Sequence, residues 1–348
     1  MRDDSDVPEP LQKLLSILHQ NNDRRMEILK ESGRKFAHYT SAENALNILS
    51  GRSLWLRNAA VMNDHSEIEH GRSILDRLLN IEAPVGRDLF GALDRVHDGI
   101  SNTIRARYYQ EAHNAREQTY MMSLCEHGPH DGLGQLSMWR AYGGPRASVA
   151  LVFNPDVIFD PSVHLNVTAS PVLYGDDAEV TAELSRVVDG LKAEPDAIAA
   201  VEPWMVAHVV AGALHFALLS IKHRGFAEER EWRVLARADE LTPTGPVKRK
   251  IQSIGGIPQI VQVLPLHGHG SPLPCNEVMM HHAMDSEAIT FLPQFSWGNL
   301  IDRIIVGPSL FPETVKAAIE AQLRMDGVDR WDQLVDVSEI PLRHATDR

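Results

Sequence analysis

Cysteine is almost absent from this chain of 348 residues, which contains only Cys125 and Cys275. Two cysteines cannot build a disulfide framework, and such low usage is typical of a reducing compartment. The first six residues are rich in aspartate and contain no apolar core of the kind that a secretion signal needs. These absences predict a cytoplasmic protein.

Long apolar runs are also scarce. One covers residues 204–221, but His208, Gly212 and His215 interrupt it. A membrane-spanning helix needs about 20 predominantly apolar residues and rarely contains titratable ones. The run therefore predicts a buried core helix, and we expect no contact with a membrane.

Positive charge is in deficit, since 47 acidic residues outnumber 34 basic ones and the formal net charge is −13 at pH 7. This balance argues against a broad, non-specific nucleic-acid surface, although a local basic groove stays possible. Arg224, Arg230, Arg233 and Arg237 lie close together in sequence. We interpret them as part of a solvated face.

The common nucleotide-binding and hydrolase signatures are missing. The chain has neither a Walker loop nor a Rossmann glycine fingerprint, and no nucleophile elbow. Four histidines of one irregular segment, His267, His269, His281 and His282, form pairs that could bind zinc or nickel. Their spacing matches no standard site, so a metal-dependent hydrolase is only an alternative hypothesis.

Helical and strand patterns alternate without a strict βαβ rhythm, which predicts an α+β fold with several long helices. Apolar spacing predicts one helix over Pro10–Glu31 and a longer one over about Gly86–Gln118. The C-terminal part predicts a strand at Ile301–Val306, a helix at Pro312–Met325 and a strand at Leu334–Val337.

These elements suggest three segments. Residues 1–35 form an N-terminal helix, and residues 36–300 form a main α+β domain with helical insertions. Residues 301–348 form a C-terminal strand–helix–strand unit, which we expect to pack on the main domain.

Residues 36–49 predict a short strand, a corner and a helix. Thr40 followed by Glu43 has the form of a capping box, so we expect the helix to begin just after Thr40. His38 and Tyr39 would then lie beside a helix N-terminus, whose free N–H groups suit an anionic ligand. Alternatively, they end a buried strand and use their polar tips in internal hydrogen bonds.

Residues 229–235 predict a strand that carries Glu229 and Glu231 on the same face, because side chains alternate along a strand. Two carboxylates that follow Lys222 could perform acid–base chemistry or stabilise a cation. The alternation of glutamate and arginine equally predicts an ion-paired strand end.

Five short motifs follow one another along the chain. They are His38-Tyr39-Thr40, Met62-Asn63-Asp64-His65-Ser66-Glu67, Trp139-Arg140-Ala141-Tyr142, Glu229-Arg230-Glu231-Trp232-Arg233 and Ile304-Ile305-Val306-Gly307-Pro308. In type and order they resemble the motifs of a bacterial family known as domain of unknown function 2971. The resemblance extends over about residues 36–340.

The segment from His38 to Leu49 is also similar to the first strand and helix of ADP-ribosyltransferases, including those that modify DNA bases. This resemblance implies a mixed or antiparallel sheet core of that type, and NAD as the substrate. It implies that His38 binds the adenosine ribose and the nicotinamide amide, that Glu231 contacts the nicotinamide ribose, and that Glu229 serves the acceptor side. The other candidate NAD-binding residues are Tyr39, Thr40, Asn63, Asp64, Trp139 and Tyr142.

The implied chemistry is coherent. Breaking the nicotinamide–ribose bond develops positive charge on the ribose, as in glycoside hydrolysis, and a fixed carboxylate stabilises that charge. We therefore expect an ADP-ribosyltransferase-like enzyme, such as a toxin or phage-defence effector, whose acceptor is a protein, a nucleic acid or water. This hypothesis requires His38 to face Glu231 across a pocket. A non-catalytic module that binds a ligand or a nucleic acid is the main alternative.

Overall fold

The computed structural model describes residues 7–62, 65–143, 147–158, 167–238, 247–265 and 297–341. The chain divides into two compact units, each made of three stretches of sequence. Unit 1 comprises residues 1–28, 58–119 and 168–235, and unit 2 comprises residues 29–57, 120–167 and 236–348. Helices and strands are mixed along the chain, which confirms the α+β class.

The helices of the described residues are α1 (Glu9–Glu31), α2 (Ala42–Gly51), α3 (His65–Leu78), α4 (Pro84–Asp94), α5 (Ile100–His113), α6 (Ala115–Gln118), α7 (Leu136–Gly143), α8 (Pro155–Ile158), α9 (Asp177–Ala193), α10 (Pro195–Ala199), α11 (Pro203–Leu218), α12 (Trp297–Leu300) and α13 (Pro312–Met325). Two short 3-10 helices cover Ala59–Val61 and Arg224–Glu229.

The strands are β1 (Lys35–Ser41), β2 (Ser53–Asn58), β3 (Thr119–His127), β4 (Ser148–Phe153), β5 (Thr168–Pro171), β6 (Leu173–Tyr174), β7 (Ile221–Lys222), β8 (Glu231–Arg237), β9 (Lys248–Ile254), β10 (Ile257–Pro265), β11 (Ile301–Val306) and β12 (Val335–Val337).

Unit 2 is built on a mixed sheet with the strand order β12-β11-β4-β1-β3-β2-β10-β9. Strand β1 runs antiparallel to both of its neighbours, β3 and β4, whereas β11 and β12 are parallel. All six residues of β4 are buried, as expected for a continuous apolar strand in the middle of a sheet. The candidate residues of β1 therefore belong to the interior of this sheet.

Unit 1 is mainly helical, and its strands are short. β5 pairs antiparallel with the first part of β8, and β6 pairs parallel with β7. The apolar run at residues 204–221 forms α11 and then β7, and the buried face of α11 includes Val206, Val210 and Leu214. The prediction of a buried core helix is thus confirmed. Within the described residues, we find no helix with the length and apolar character that a bilayer crossing would demand.

The predicted start of α2 is wrong by one residue. The N-cap is Ser41, whose hydroxyl accepts a hydrogen bond from the backbone N–H of Asn44. Thr40 and Ser41 both belong to β1 and pair with Val149 and Ser148 of β4. Because Ser41, the last residue of β1, is the N-cap, the predicted capping box of Thr40 with Glu43 does not form.

The long helix predicted over residues 86–118 is broken into α4, α5 and α6. Gly99 has a φ of 71°, a left-handed conformation that interrupts the helix without the steric cost that a Cβ would bring. The carboxylate of Asp94, the last residue of α4, accepts hydrogen bonds from the backbone N–H and the hydroxyl of Ser101. The last side chain of α4 thereby caps the first turn of α5, which apolar spacing alone does not reveal.

The terminal predictions are accurate to one residue. The N-terminal helix begins at Glu9, and β11 and α13 have the predicted bounds, while β12 begins at Val335. These segments have regular apolar spacing and clear end signals, namely Gly33 after α1 and Pro312 at the start of α13.

Candidate functional site

Five ionisable side chains of unit 1 form a compact group that we call the charged cluster: Glu67, Lys222, Glu229, Glu231 and Arg233. The side chains of Arg233 and Glu231 are 0% and 4% exposed, whereas that of Glu229 is 21% exposed. Charged groups are rarely buried unless they are paired. The cluster therefore has a buried interior, and Glu229 is its most exposed carboxylate side chain.

Lys222 is the centre of the cluster. Its Nζ lies 2.6 Å from Glu229 Oε2, 2.9 Å from Glu67 Oε1 and 3.3 Å from Glu231 Oε2. An ammonium group has three N–H donors, so three carboxylates use its full capacity. Its charge also lies 4.7 Å from the ring centre of Phe226, within the range of a cation–π interaction.

Arg233 closes the buried end of the cluster. Its Nε donates to Glu231 Oε1 at 3.0 Å, and its Nη2 donates to Glu67 Oε2 at 2.6 Å. Its Nη1 donates to the backbone oxygen of Leu219 at 2.5 Å. The fork of a guanidinium suits such paired contacts, so Arg233 holds the two carboxylates in fixed positions.

Helix α3 brings Glu67 to the cluster by approaching the segment before β7 very closely. A Cβ on Gly71 would overlap the backbone oxygen of Leu218. Glu67 and Gly71 are four residues apart and thus share a face of the helix. The glycine lets the helix backbone approach residues 218–222, and Glu67 then reaches both Lys222 and Arg233.

The predicted common strand of Glu229 and Glu231 is not present. Glu229 ends a 3-10 helix, Arg230 has a φ of 46°, and β8 begins only at Glu231. The two carboxylates nevertheless meet, because both bind Lys222. It is Glu231 and Arg233 that share a strand face. The ion-paired alternative predicted from the charge pattern agrees with these contacts.

Burial and neighbouring charges oppose each other within the cluster. Burial lowers the pKa of Lys222, but the surrounding carboxylates, Glu231 first among them, outweigh this and hold the pKa above its ordinary value. Burial raises the pKa of Glu229, and Lys222 only partly offsets that. Three carboxylates against two cations leave one excess negative charge when all are ionised.

The backbone of Glu231 is held as well as its side chain. Its N–H donates to the Tyr174 hydroxyl oxygen at 2.7 Å, and burial raises the pKa of that hydroxyl. His70 of α3 stacks edge-on against His223 with ring centres 5.8 Å apart. His223 and Phe226 are exposed, and the Phe226 ring lies against Lys222, which binds Glu229. The open side of the cluster thus combines a carboxylate with an aromatic ring.

A second group of candidate residues lies in unit 2, and we call it the aromatic corner: His38, Tyr39 and Trp139. Tyr39 and Trp139 meet edge to face with ring centres 4.8 Å apart, and both are almost fully buried. The Tyr39 hydroxyl accepts from the backbone N–H of Gln135 at 2.9 Å, and the Trp139 indole N–H donates to the Leu133 oxygen at 2.8 Å. These rings are core residues of the unit.

His38 has a defined tautomer. Its Nδ1 lies 3.0 Å from the backbone oxygen of Ser123, and because a carbonyl only accepts, Nδ1 carries the proton. Burial lowers the pKa of the ring, and the bond to Ser123 only partly opposes this. Neutral His38 therefore presents Nε2 as an acceptor. The predicted alternative of an internally bonded strand end fits Tyr39 fully and His38 through one of its two nitrogens.

The structure groups the predicted site residues in two places. Glu229 and Glu231 belong to unit 1, whereas His38, Tyr39, Thr40, Trp139 and Tyr142 belong to unit 2. The facing of His38 and Glu231 thus stays a prediction. Asn63 and Asp64 lie outside the described residues, as do His267, His269, His281 and His282 of the metal hypothesis. Within the described residues, we find no group of three metal-ligating side chains placed to hold an ion.

Sequence reasoning missed Glu67 and Arg233 as members of the site. The prediction of a solvated face is wrong for Arg233 and Arg237, because both are buried. A signal was present in the motifs, since Glu67 ends the motif that begins at Met62 and Arg233 ends the one that begins at Glu229. Glu67 and Arg233, the last residues of two separate motifs, pair with each other.

The fold and the site define an α+β protein with an ion-paired cluster of three carboxylates, a lysine and an arginine inside its helical unit. Residues 138–234 match the family described as "Protein of unknown function (DUF2971)", which confirms the family resemblance over that segment. The matched segment includes Trp139 and four of the five cluster residues, while Glu67 precedes it. No curated protein and no solved structure matches the chain.

Proposed function

We propose that this protein is an ADP-ribosyltransferase-like enzyme that cleaves the nicotinamide–ribose bond of NAD at the open side of the charged cluster. The observation that carries the proposal is the difference in exposure between its carboxylates. The side chain of Glu229 is 21% exposed, against 11% for Glu67 and 4% for Glu231. Glu229 is thus the cluster carboxylate best able to touch a substrate.

In the proposed reaction, the bond between C1′ of the ribose and the pyridinium nitrogen breaks, and its electron pair leaves with neutral nicotinamide. The acceptor's lone pair forms the new bond to C1′, and the acceptor loses a proton. The positive charge that develops on the ribose is stabilised by the excess negative charge of the cluster. Glu229 takes up the acceptor's proton, and burial raises its pKa, which makes the carboxylate a stronger base.

The neighbouring residues have supporting roles in this proposal. Phe226 is 44% exposed and offers an aromatic face against which nicotinamide can pack. Glu231, which was the predicted contact to the ribose, is instead a positioning residue because Arg233 and Lys222 occupy its carboxylate. Lys222 keeps Glu229 in place.

The test is to incubate the purified protein with NAD and to quantify free nicotinamide by chromatography, with and without added cell protein or nucleic acid. We expect Glu229→Gln to lower the rate by about 100-fold or more, the usual contribution of a general base. Glu228→Gln is the matched control, because Glu228 is the adjacent exposed glutamate and belongs to no described ion pair. Absence of nicotinamide release under every condition, together with no thermal shift by NAD, would contradict the proposal.

A growth assay extends the test to the toxin hypothesis and to a cytoplasmic acceptor. If the acceptor is an essential component of the cell, expression of the wild type should arrest growth, and expression of Glu229→Gln should not. Equal growth arrest by both forms, at equal protein levels, would separate toxicity from the proposed chemistry.

A non-catalytic ligand-binding module is the second candidate. The complete internal pairing of Arg233 favours it, since Nε, Nη1 and Nη2 all donate to acceptors of the protein. In that case the cluster is a structural element, and NAD or another ligand binds without turnover. The expected signature is a thermal shift by ligand that survives in Glu229→Gln, with no nicotinamide released by either protein.

A further inference from the structure

We propose that unit 1 contains a second binding site, an apolar cavity that accepts a small neutral ring compound with one hydroxyl group. The cavity has a volume of about 120 Å³ and lies among α1, α9, α11 and the ribbon of β6 and β7. It is independent of the function proposed above, because none of the five cluster residues lines it.

The walls of the cavity determine the apolar part of the ligand. Leu75, Leu89, Val180, Leu184 and Leu214 line it and are almost completely buried. Pockets for small molecules are typically apolar with a few polar groups that fix orientation. Cavities of about 150 Å³ in other proteins accept benzene, so the volume here suits one six-membered ring.

Two polar atoms determine the polar part of the ligand. Ser220 and Glu183 both line the cavity, and Ser220 Oγ and Glu183 Oε1 are buried with no hydrogen-bond partner among the described residues. A buried polar group without a partner costs free energy, so each such group calls for an explanation. A ligand hydroxyl can donate to a carboxylate oxygen and accept from a serine hydroxyl.

The backbone around Ser220 explains why its hydroxyl has no hydrogen-bond partner among the described residues. Its N–H donates to Ala217 and its carbonyl accepts from Leu173, so the local backbone groups already bind one another. Serine changes its rotamer about a single bond, which lets this hydroxyl turn towards a bound molecule. The carboxylate of Glu183 pairs through Oε2 with Arg24 and Arg186, and its Oε1 is the atom without a described partner. Because the charge is already compensated and Oε1 can only accept, a neutral hydroxyl is a suitable donor.

The position of the cavity separates it from the charged cluster. In the parallel pair of β6 and β7, Leu173 is opposite Ile221 and Tyr174 is opposite Lys222. Leu173 and Ile221 line the cavity, whereas the next residue of each strand, Tyr174 and Lys222, contacts Glu231. Because successive side chains of a strand point to opposite faces, the ribbon forms a wall between the two sites.

Phenol and benzene are suitable probes, since they share a ring and differ by one hydroxyl. Binding to the wild type, measured by saturation-transfer NMR and calorimetric titration, should be saturable for both and tighter for phenol. Ser220→Ala should weaken phenol binding by about 2- to 10-fold, the effect of one net hydrogen bond, and leave benzene binding unchanged. Its thermal stability should equal or exceed that of the wild type, because the lost hydroxyl has no described partner.

Ala217→Leu tests the location, because Ala217 is a partly exposed lining residue of α11. Filling this position should weaken both probes by at least about 10-fold if it occupies the volume of the ring. Ala182→Leu is the matched control, an exposed alanine of α9 that does not line the cavity, and it should change neither affinity. The absence of saturable binding to the folded wild type, or equal effects of the two leucine variants, would overturn the proposal.

Discussion

The charged cluster of unit 1 and the aromatic corner of unit 2 differ in the partners that their buried polar side-chain atoms bind. Both bury polar groups that came from short sequence motifs. In the cluster, most partners are other ionisable side chains, as in the pairs of Arg233 with Glu67 and with Glu231, and one bond of Arg233 goes to the Leu219 backbone oxygen. In the corner, His38, Tyr39 and Trp139 all bind backbone groups.

The difference predicts how each region responds to change. A backbone partner stays in place when a side chain is replaced, so the effect in the corner should be local and modest. A side chain of the cluster shares its partners with its neighbours, and removing it leaves another buried charge without compensation. The cluster should therefore be the more sensitive and the more strongly coupled of the two regions.

The largest effect is expected for Arg233→Met. The variant leaves the carboxylates of Glu67 and Glu231 without their guanidinium partner, and breaking a buried pair in this way costs about 3–5 kcal/mol. Urea unfolding followed by circular dichroism measures this loss. Arg249→Met, at an exposed position of β9, is the control and should change the free energy of unfolding by no more than about 0.5 kcal/mol. Equal stability of the two variants would remove the basis of the comparison.

Coupling within the cluster can be measured directly with a double-mutant cycle. Glu67→Gln removes one of the carboxylates that Arg233 compensates, so the double variant should lose less stability than the sum of the single losses. Coupling energies of about 0.5–3 kcal/mol are usual for residues in one network. Additive losses would mean that the two side chains act independently.

A smaller effect is expected for Tyr39→Phe in the corner. The ring keeps its contact with Trp139, but the backbone N–H of Gln135 loses its acceptor, which should cost about 1–2 kcal/mol. The same unfolding assay applies, with the half-exposed Tyr109→Phe as the control. A loss as large as that of Arg233→Met would show that the corner is as coupled as the cluster.

The two regions should also contribute to the pH dependence of folding stability with opposite signs. Burial raises the pKa of Glu229 above its ordinary 4.5, so the folded state binds more protons than the unfolded state just above that pH. Stability from this group should therefore fall as the pH rises through the window above 4.5. Glu229→Gln should flatten that part of the stability profile, whereas Glu228→Gln should not.

His38 should show the opposite and smallest effect. Burial lowers its pKa below the ordinary 6.5, so the unfolded state binds more protons in the window below 6.5. Stability from this group should be complete above 6.5 and should decrease as the pH falls through that window. An NMR titration of the ring protons would test this directly, and a midpoint at or above 6.5 would refute it.

Several elements were predictable because their signals are local. The bounds of α13 and β11 follow from regular apolar spacing and from end signals within a few residues. Thr40 and Ser41 show the limit of this approach, since both are good N-cap residues and both pair with β4, yet only the hydroxyl of Ser41 caps the helix. The break at Gly99 is similar, because the cap that begins α5 comes from Asp94, seven residues before Ser101.

The candidate site was only half predictable. The sequence indicates Glu229 and Glu231 as a pair of functional carboxylates and Lys222 as the cation that precedes them. Arg230, with its left-handed backbone, turns the chain between the two glutamates, which no alternation rule anticipates. The surface position predicted for Arg233 is wrong, because charge patterns carry no information about burial when the partner lies far away in sequence.

The sequence by itself determined the α+β class, most elements, the buried apolar helix α11 and the family resemblance, because these depend on local periodicity and short motifs. Only the tertiary structure decided which charges meet. Arg233 binds Glu67 across 166 positions, and a close approach of α3 at Gly71 makes that contact possible. Ion pairs of this kind depend on distances between elements, and packing sets those distances.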